Sequence, residues 1–128
     1  MKTWTIVVLG AVFLAVGPAS AHHSFAMFER QKTITIEGTV KEFQWTNPHT
    51  WVQVMVKDPA TGKEVEWSVE GSSPSLMTRA GYKRTVLKPG DTVMLEIYPL
   101  RAGGPGGSLK SAKINGQLVN APPPGGGN

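Results

Sequence analysis

The sequence predicts a mainly β domain: a small five-stranded Greek-key barrel with one short helix between strands three and four. Three observations predict it. Apolar and polar residues alternate with a period of two in five segments, which is typical of half-buried strands. A proline-led apolar stretch between the third and fourth segments is typical of a short helix. The first segment is also long and shifts its alternation midway, which is typical of barrel strands that bend.

The first predicted strand runs from Thr33 to Trp45. Apolar residues occupy every second position up to Val40, and Phe43 and Trp45 then continue the apolar set in a shifted phase. Together with Gly38, this slip predicts a strand that bends or bulges.

The next two strands, Thr50 to Val56 and Lys63 to Glu70, are separated by a proline- and glycine-containing turn at Asp58 to Gly62. The first of these strands places Val52, Val54 and Val56 on one face and Trp51, Gln53 and Met55 on the other. The second places Val65, Trp67 and Val69 inward and polar residues outward. We interpret the alternating acidic side chains of the second of these strands as a solvated face: Glu64, Glu66 and Glu70.

A short helix follows the third strand. Ser73 has the residue type of an N-cap, Pro74 fits the first helical position, and Gly81 ends the helix. The fourth strand, Thr92 to Tyr98, again alternates apolar and polar residues.

The chain then reads as a flexible glycine-rich loop, Arg101 to Gly107, a fifth strand, Ser108 to Ile114, and a short strand, Gln117 to Val119. This order, with the long bent first strand, predicts a five-stranded Greek-key barrel of the OB type, and an antiparallel sandwich is the alternative. The predicted core consists of Val40, Val52, Val54, Val65, Trp67, Val69, Val93, Leu95 and Ile97.

The first 21 residues have the pattern of an export signal. Lys2 supplies the positive end, Trp4 to Val16 is an uncharged apolar run, and Ala19-Ser20-Ala21 has the small-x-small form of a cleavage site. The alternative is a membrane anchor, but the run is short for a bilayer span. We therefore expect a periplasmic protein, cleaved after Ala21, with no stable membrane anchor.

These patterns divide the chain into four parts. Residues 1–21 are the signal peptide, 22–32 an N-terminal segment, 33–119 the barrel domain, and 120–128 a disordered tail rich in proline and glycine. The absence of cysteine excludes disulfides and thiolate metal sites. Although the net charge is +4, nucleic acid is not an expected partner of an exported chain.

The corner between the first two strands concentrates candidate binding residues. Asn47-Pro48 is a turn signal, His49 follows it, and Trp45 and Trp51 flank it. OB barrels bind ligands near this corner and the loop between strands four and five, which begins at Arg101. We therefore predict ligand binding by Trp45, Asn47, Trp51 and Arg101. A structural alternative is that the tryptophans pack on the core and the histidine bonds a backbone carbonyl.

The three histidines of the chain, His22, His23 and His49, predict a metal site. After cleavage, the free amine and ring of His22 would chelate one metal ion, and His23 or His49 would add a third nitrogen. Three nitrogen ligands suit copper, or zinc with a water as the alternative. The competing interpretation is that the terminal histidines are merely solvated.

Three functions follow as hypotheses. The first is a periplasmic metal-binding protein, with copper favoured. The second is an accessory module that recognises a glycan, a peptide or a periplasmic partner protein, and the third is a copper-dependent oxidoreductase. No catalytic residue is assigned, because Ser24 lacks an acidic orienter and the glycine-rich runs lack the ending of a phosphate loop.

Five motifs together resemble an exported bacterial family known as domain of unknown function 6152. The resemblance covers the mature chain up to about Val119 and implies a periplasmic protein without implying an activity. The motifs are Ala21–Phe25, Glu37–Val40, Trp45–His49, Leu87–Asp91 and Pro99–Gly107.

Overall fold

The computed structural model describes residues 26–119 as six strands and one helix. The predicted signal peptide, His22, His23 and the predicted tail lie outside the described residues, so the division into segments stays a prediction. The strands are β1 (Ile34–Gln44), β2 (Trp51–Lys57), β3 (Glu64–Glu70), β4 (Thr92–Pro99), β5 (Gly106–Ile114) and β6 (Gln117–Val119), and the helix is α1 (Pro74–Arg79).

Five of the strands close into a barrel, which confirms the predicted fold class. The strands are hydrogen-bonded in the order β3-β2-β1-β4-β5-β6, and a parallel pairing of β3 with β5 joins the two sides of the sheet. β6 adds an antiparallel edge to β5. A closed barrel of this strand order, with the helix between β3 and β4, is the OB arrangement.

The long first strand, β1, pairs with strands on both sides of it in the barrel. Its first part pairs with β4, its second part pairs with β2, and the register shifts between Val40 and Glu42. Gly38 lies against the β2 backbone, where a Cβ would collide with the carbonyl oxygen of Met55. The predicted bend is therefore confirmed as a bulge preceded by a close approach of two strands.

The inward side chains of the strands form one core. Val52, Val54 and Val69 are at most 1% exposed, and Met77 of α1 and Tyr82 close one end. Trp67 faces the core as predicted but is only partly buried.

The glycine-rich loop is shorter than the sequence predicted. Gly106 and Gly107 are buried residues of β5 and pair with Ser68 and Val69 of β3. A Cβ on Gly107 would lie 2.5 Å from the carbonyl oxygen of Tyr98. These two glycines therefore permit the close strand approach that closes the barrel.

Candidate functional site

His49 lies at the exit of the β1–β2 corner with one ring nitrogen engaged. Its Nδ1 is 3.2 Å from Oε1 of Glu70 and 3.3 Å from the carbonyl oxygen of Gly71. Both partners accept hydrogen bonds when Glu70 is ionised, so an N–H at Nδ1 satisfies them, and the neutral ring then carries its lone pair on Nε2. The contact with the Gly71 carbonyl oxygen agrees with the alternative in which His49 bonds a backbone carbonyl. The contact with the Glu70 carboxylate was not predicted from the sequence.

The backbone on both sides of His49 is fixed. Thr46 donates its hydroxyl to the carbonyl oxygen of His49 at 2.8 Å. The next residue, Thr50, is fully buried, and its amide and hydroxyl both donate to the carbonyl oxygen of Ser72, at 3.0 and 2.9 Å. These bonds tie the corner to the chain just after β3, which holds the imidazole beside Glu70.

Glu70 is more deeply buried than its partner His49. Its side chain is 12% exposed, compared with 36% for His49. Burial raises the pKa of the Glu70 carboxyl, and the nearby charges of His49 and Arg30 oppose that rise. The guanidinium carbon of Arg30 in turn lies 5.3 Å from the centre of the Tyr98 ring. The Glu70 carboxyl therefore lies within electrostatic range of the His49 imidazole and the Arg30 guanidinium.

A cleft of about 160 Å³ opens on the other side of Glu70. It forms on the outer face of β2 and β3, where Trp51 and Glu70 are paired residues pointing away from the core. The N-terminal segment and the β4–β5 loop enclose it. Its lining consists of Met27, Phe28, Trp51, Ser68, Glu70, Leu100, Pro105, Gly106 and Gly107.

The N-terminal segment is attached to the barrel along this cleft. Phe28 is 4% exposed and bridges to Leu100. The amide of Glu29 donates to the carbonyl oxygen of Pro99, and the amide of Arg101 donates to that of Met27, both at 2.8 Å. These contacts hold Met27 and Phe28 in the wall of the cleft.

Arg101 also holds this segment with its side chain. Its Nε donates to the carbonyl oxygen of Phe28 at 3.2 Å, and Nη1 lies 3.9 Å from Oε1 of Glu29. Arg101 thus attaches the N-terminal segment to the barrel. Its contact with a ligand stays a prediction.

The other predicted ligand-binding residues are divided between the two faces of the barrel. Trp51 lines the cleft. Trp45 is partly buried against the core and makes an edge-to-face contact with Phe43, with ring centres 5.5 Å apart. Asn47 is exposed at the tip of the corner. The structure therefore brings both His49 and Trp51 next to Glu70 and places Trp45 with the core.

Glu70 and Arg30 are the site residues that sequence reasoning missed. Glu70 had been grouped with a solvated acidic row, and this interpretation is wrong for Glu70 because the His49 corner and the N-terminal segment cover it. Its position in the sequence could have indicated this role. Glu70 ends β3 and pairs with Trp51 next to the β1–β2 corner, whereas Glu66 lies in the middle of the strand.

A second cleft, of about 350 Å³, lies at the β2–β3 hairpin end and contains no histidine. Within residues 26–119, no three histidine, aspartate or glutamate side chains are grouped closely enough to hold a metal ion. Over the same residues, no helix is long and apolar enough to cross a membrane.

Comparison with known proteins places the chain in a family. Residues 11–110 match the model of a family of unknown function, DUF6152. The chain belongs to this family. The match confirms the resemblance noted from the sequence, and its range contains every candidate ligand discussed above.

A search of the curated proteins finds no significant match. Among solved structures, the mitochondrial single-stranded DNA binding protein Rim1 from S. cerevisiae is similar, with a TM-score of 0.49 and 11% sequence identity, over 65% of this chain and 92% of that chain. A likeness at this level says nothing about what the DUF6152 chain binds.

Proposed function

We propose that this DUF6152 protein is a periplasmic metal-binding protein whose mature chain, beginning at His22, holds one copper ion. The ligands in this proposal are the amine and ring of His22, with His49 or His23 as the third nitrogen. Zinc with a bound water is the alternative metal for the same donor set.

The observation that supports the proposal most strongly is the fixed orientation of His49. Metal-ligating histidines generally give the N–H of their other ring nitrogen to a carboxylate or a backbone carbonyl. In this chain Nδ1 faces both, at 3.2 Å from Glu70 and 3.3 Å from Gly71. Nε2 is then the nitrogen that carries the lone pair for a metal.

The attachment of the N-terminal segment supports the choice of His49 as the partner of His22. Met27, which lies five residues after His22, lines the same cleft as Glu70. Five residues span at most about 18 Å when extended. A reach of up to about 18 Å from Met27 is compatible with a chelate that joins the predicted mature terminus to His49.

Copper titration calorimetry on three proteins tests the proposal: the chain starting at His22, the same chain with one extra N-terminal residue, and His49→Ala. We expect the first to bind one copper ion more tightly than about micromolar and the other two to bind at least about tenfold more weakly. Equal affinity of the extended protein would refute the amine chelate. If His49→Ala alone keeps full affinity, the site is a local His22–His23 chelate.

Glu70→Gln probes the partner of the imidazole. Losing the carboxylate at this position typically weakens metal binding by about tenfold to hundredfold. Glu66→Gln is the matched control, because Glu66 lies on the same strand face but is exposed and paired with Lys41 at 2.7 Å. An equal effect of both variants would show that the loss reflects net charge alone.

Copper binding should also weaken as the pH falls, because protons compete with the metal for the imidazole and amine nitrogens. Titration of the His22-start chain at a series of pH values measures the effect. Affinity independent of pH would contradict histidine ligation.

A further inference from the structure

The cleft of about 160 Å³ on the outer face of β2 and β3 has one acidic side chain in otherwise uncharged walls. Glu70 is the charged residue among the described residues that line it. Apart from Ser68 and the indole of Trp51, the other lining residues are apolar or glycine. Binding pockets commonly have this composition, in which a few polar groups orient a ligand inside apolar walls.

The polar groups of the cleft can accept more hydrogen bonds than the protein gives them. Oε1 of Glu70 contacts Nδ1 of His49, whereas an ionised carboxylate has about four acceptor sites. The hydroxyl of Ser68 makes no hydrogen bond within residues 26–119. Because the Glu70 side chain is only 12% exposed, a cationic donor in the cleft would stabilise a carboxylate that water solvates poorly.

The walls suit a cation that is carried on an alkyl chain. Trp51 is the cross-strand neighbour of Glu70 on the same face, and an indole attracts a cation to its ring. Phe28 and Leu100 add apolar surface against which methylene groups can pack. Pockets that enclose a whole small molecule usually exceed about 300 Å³, so this smaller cleft fits one head group and a few methylenes.

A metal ion fits this cleft poorly, because hard cations require about six oxygen ligands and the cleft offers one carboxylate. A primary ammonium has three N–H donors and matches the two acceptors and the aromatic ring. We infer that the cleft binds the primary ammonium group of an alkylamine, with Glu70 and Ser68 accepting its N–H bonds beside Trp51. The inference goes beyond the proposed function and does not depend on copper, since it uses no histidine nitrogen as a ligand.

A balanced internal charge is the competing explanation. The charges of His49 and Arg30 also act on the Glu70 carboxyl. If they compensate it fully, a ligand gains nothing from a positive head group, and the cleft binds a charged and an uncharged alkyl chain equally well.

The test is an NMR titration of the metal-free chain starting at His22 with three ligands that share one alkyl chain. Pentylammonium has the charge and the N–H donors, pentyltrimethylammonium has only the charge, and pentanol is uncharged. The backbone amide signals of Met27, Ser68 and Gly106 report binding in the cleft.

The variants are Glu70→Gln and Ser68→Ala. Glu66→Gln is the matched control, because Glu66 lies on the same strand but is exposed and does not line the cleft. Urea unfolding of each variant checks that the barrel is intact.

We expect pentylammonium to bind with a Kd of about a millimolar, at least about tenfold more tightly than pentanol and about threefold more tightly than pentyltrimethylammonium. Glu70→Gln should weaken pentylammonium binding by about tenfold and Ser68→Ala by about threefold, while Glu66→Gln leaves it unchanged. Pentanol binding should be the same in all four proteins.

Two sources could present such a group, a free amine or a lysine side chain of another protein, and an acetylated lysine amide distinguishes them. Binding as tight as that of pentylammonium supports a lysine side chain, and binding at least about tenfold weaker supports a free amine.

The inference would be overturned if pentanol or pentyltrimethylammonium bound as tightly as pentylammonium, or if Glu66→Gln lost as much affinity as Glu70→Gln. Unchanged affinity in both Glu70→Gln and Ser68→Ala would contradict it as well. So would the absence of saturable shifts at the cleft amides up to about 50 mM pentylammonium.

Discussion

At the scale of single residues, close packing at the mouth of the barrel depends on positions without a side chain. Gly107 is buried in β5, between the carbonyl oxygen of Tyr98 and the side chain of Ile97. An added Cβ would lie 2.5 Å from the former and 2.8 Å from Cδ1 of the latter, both too short for real contacts. Gly107 therefore sets the spacing between β4 and β5 where the barrel closes.

We predict that Gly107→Ala lowers the free energy of unfolding by about 1–3 kcal/mol, the usual range for overpacking. Gly104→Ala is the control, because that residue has a φ of 93° and open space around its Cα, so alanine there meets backbone strain alone. Urea unfolding measures both. A Gly107→Ala protein as stable as the unaltered chain would show that the strands can separate at no cost.

The two central site residues differ in how far the sequence could predict them. The Asn47-Pro48 turn was sufficient to place His49 at the corner. Glu70 was not identified, because alternation in a strand tells which face a side chain occupies but not whether another segment covers that face. Copper binding by His22, His23 and His49 stays a prediction.

At the scale of elements, the segment from Ala26 to Lys32 links the predicted mature terminus to the candidate site. Two backbone hydrogen bonds and the side chain of Arg101 fasten it to the barrel, and Phe28 inserts beside Leu100. Because this segment forms one wall of the cleft, its attachment should control where the terminus can reach.

We predict that Arg101→Ala accelerates hydrogen exchange at the amide of Glu29 several-fold and weakens copper binding. The substitution removes the bond to Phe28 and the ion pair with Glu29 but keeps the backbone. Lys110→Ala removes a comparable ion pair, with Glu96, on the β4–β5 pair and should leave this amide unchanged. Equal exchange in Arg101→Ala and the unaltered protein would mean that the backbone bonds and Phe28 are sufficient.

Most elements could be predicted from the sequence because β2, β3 and β4 each keep one phase of inward and outward residues and the turns contain proline or glycine. The start of β5 could not, because consecutive glycines are typical of a flexible loop. In this protein, Gly106 and Gly107 are required by the close approach of three strands, which is a property of the closed barrel and not of the local sequence.

At the scale of the whole molecule, element order and the bend in β1 were sufficient to predict the closed barrel. The β3–β5 pairing that closes it is parallel and joins residues about 40 positions apart in the chain, as in Val69 and Gly107. Periodicity does not report such a contact, and the order of the elements predicted the barrel type without identifying this pairing.

The barrel should lose some stability in acid through the β4–β5 pair. Glu96 accepts hydrogen bonds from Lys110 at 2.7 Å and from Ser111 at 3.1 Å, and the bond from Lys110 holds the pKa of this carboxyl below its usual value. A lowered folded-state pKa gives stability that is present above the unfolded pKa and is lost as the pH falls through the folded value.

Glu96→Gln should therefore be less stable than the unaltered chain at about pH 6, with a smaller difference at about pH 2.5, in urea unfolding at low salt. Glu64→Gln is the control, because Glu64 is exposed and has no ion pair among residues 26–119. A difference for Glu96→Gln that does not change with pH would contradict ionisation as its cause.

The most direct test of the metal site is an anomalous difference map at the copper edge, from crystals of the His22-start protein grown with one equivalent of copper. We expect a single strong peak within bonding distance of the His22 amine and of Nε2 of His49. A copper peak remote from His49, or no peak in a copper-loaded crystal, would contradict it.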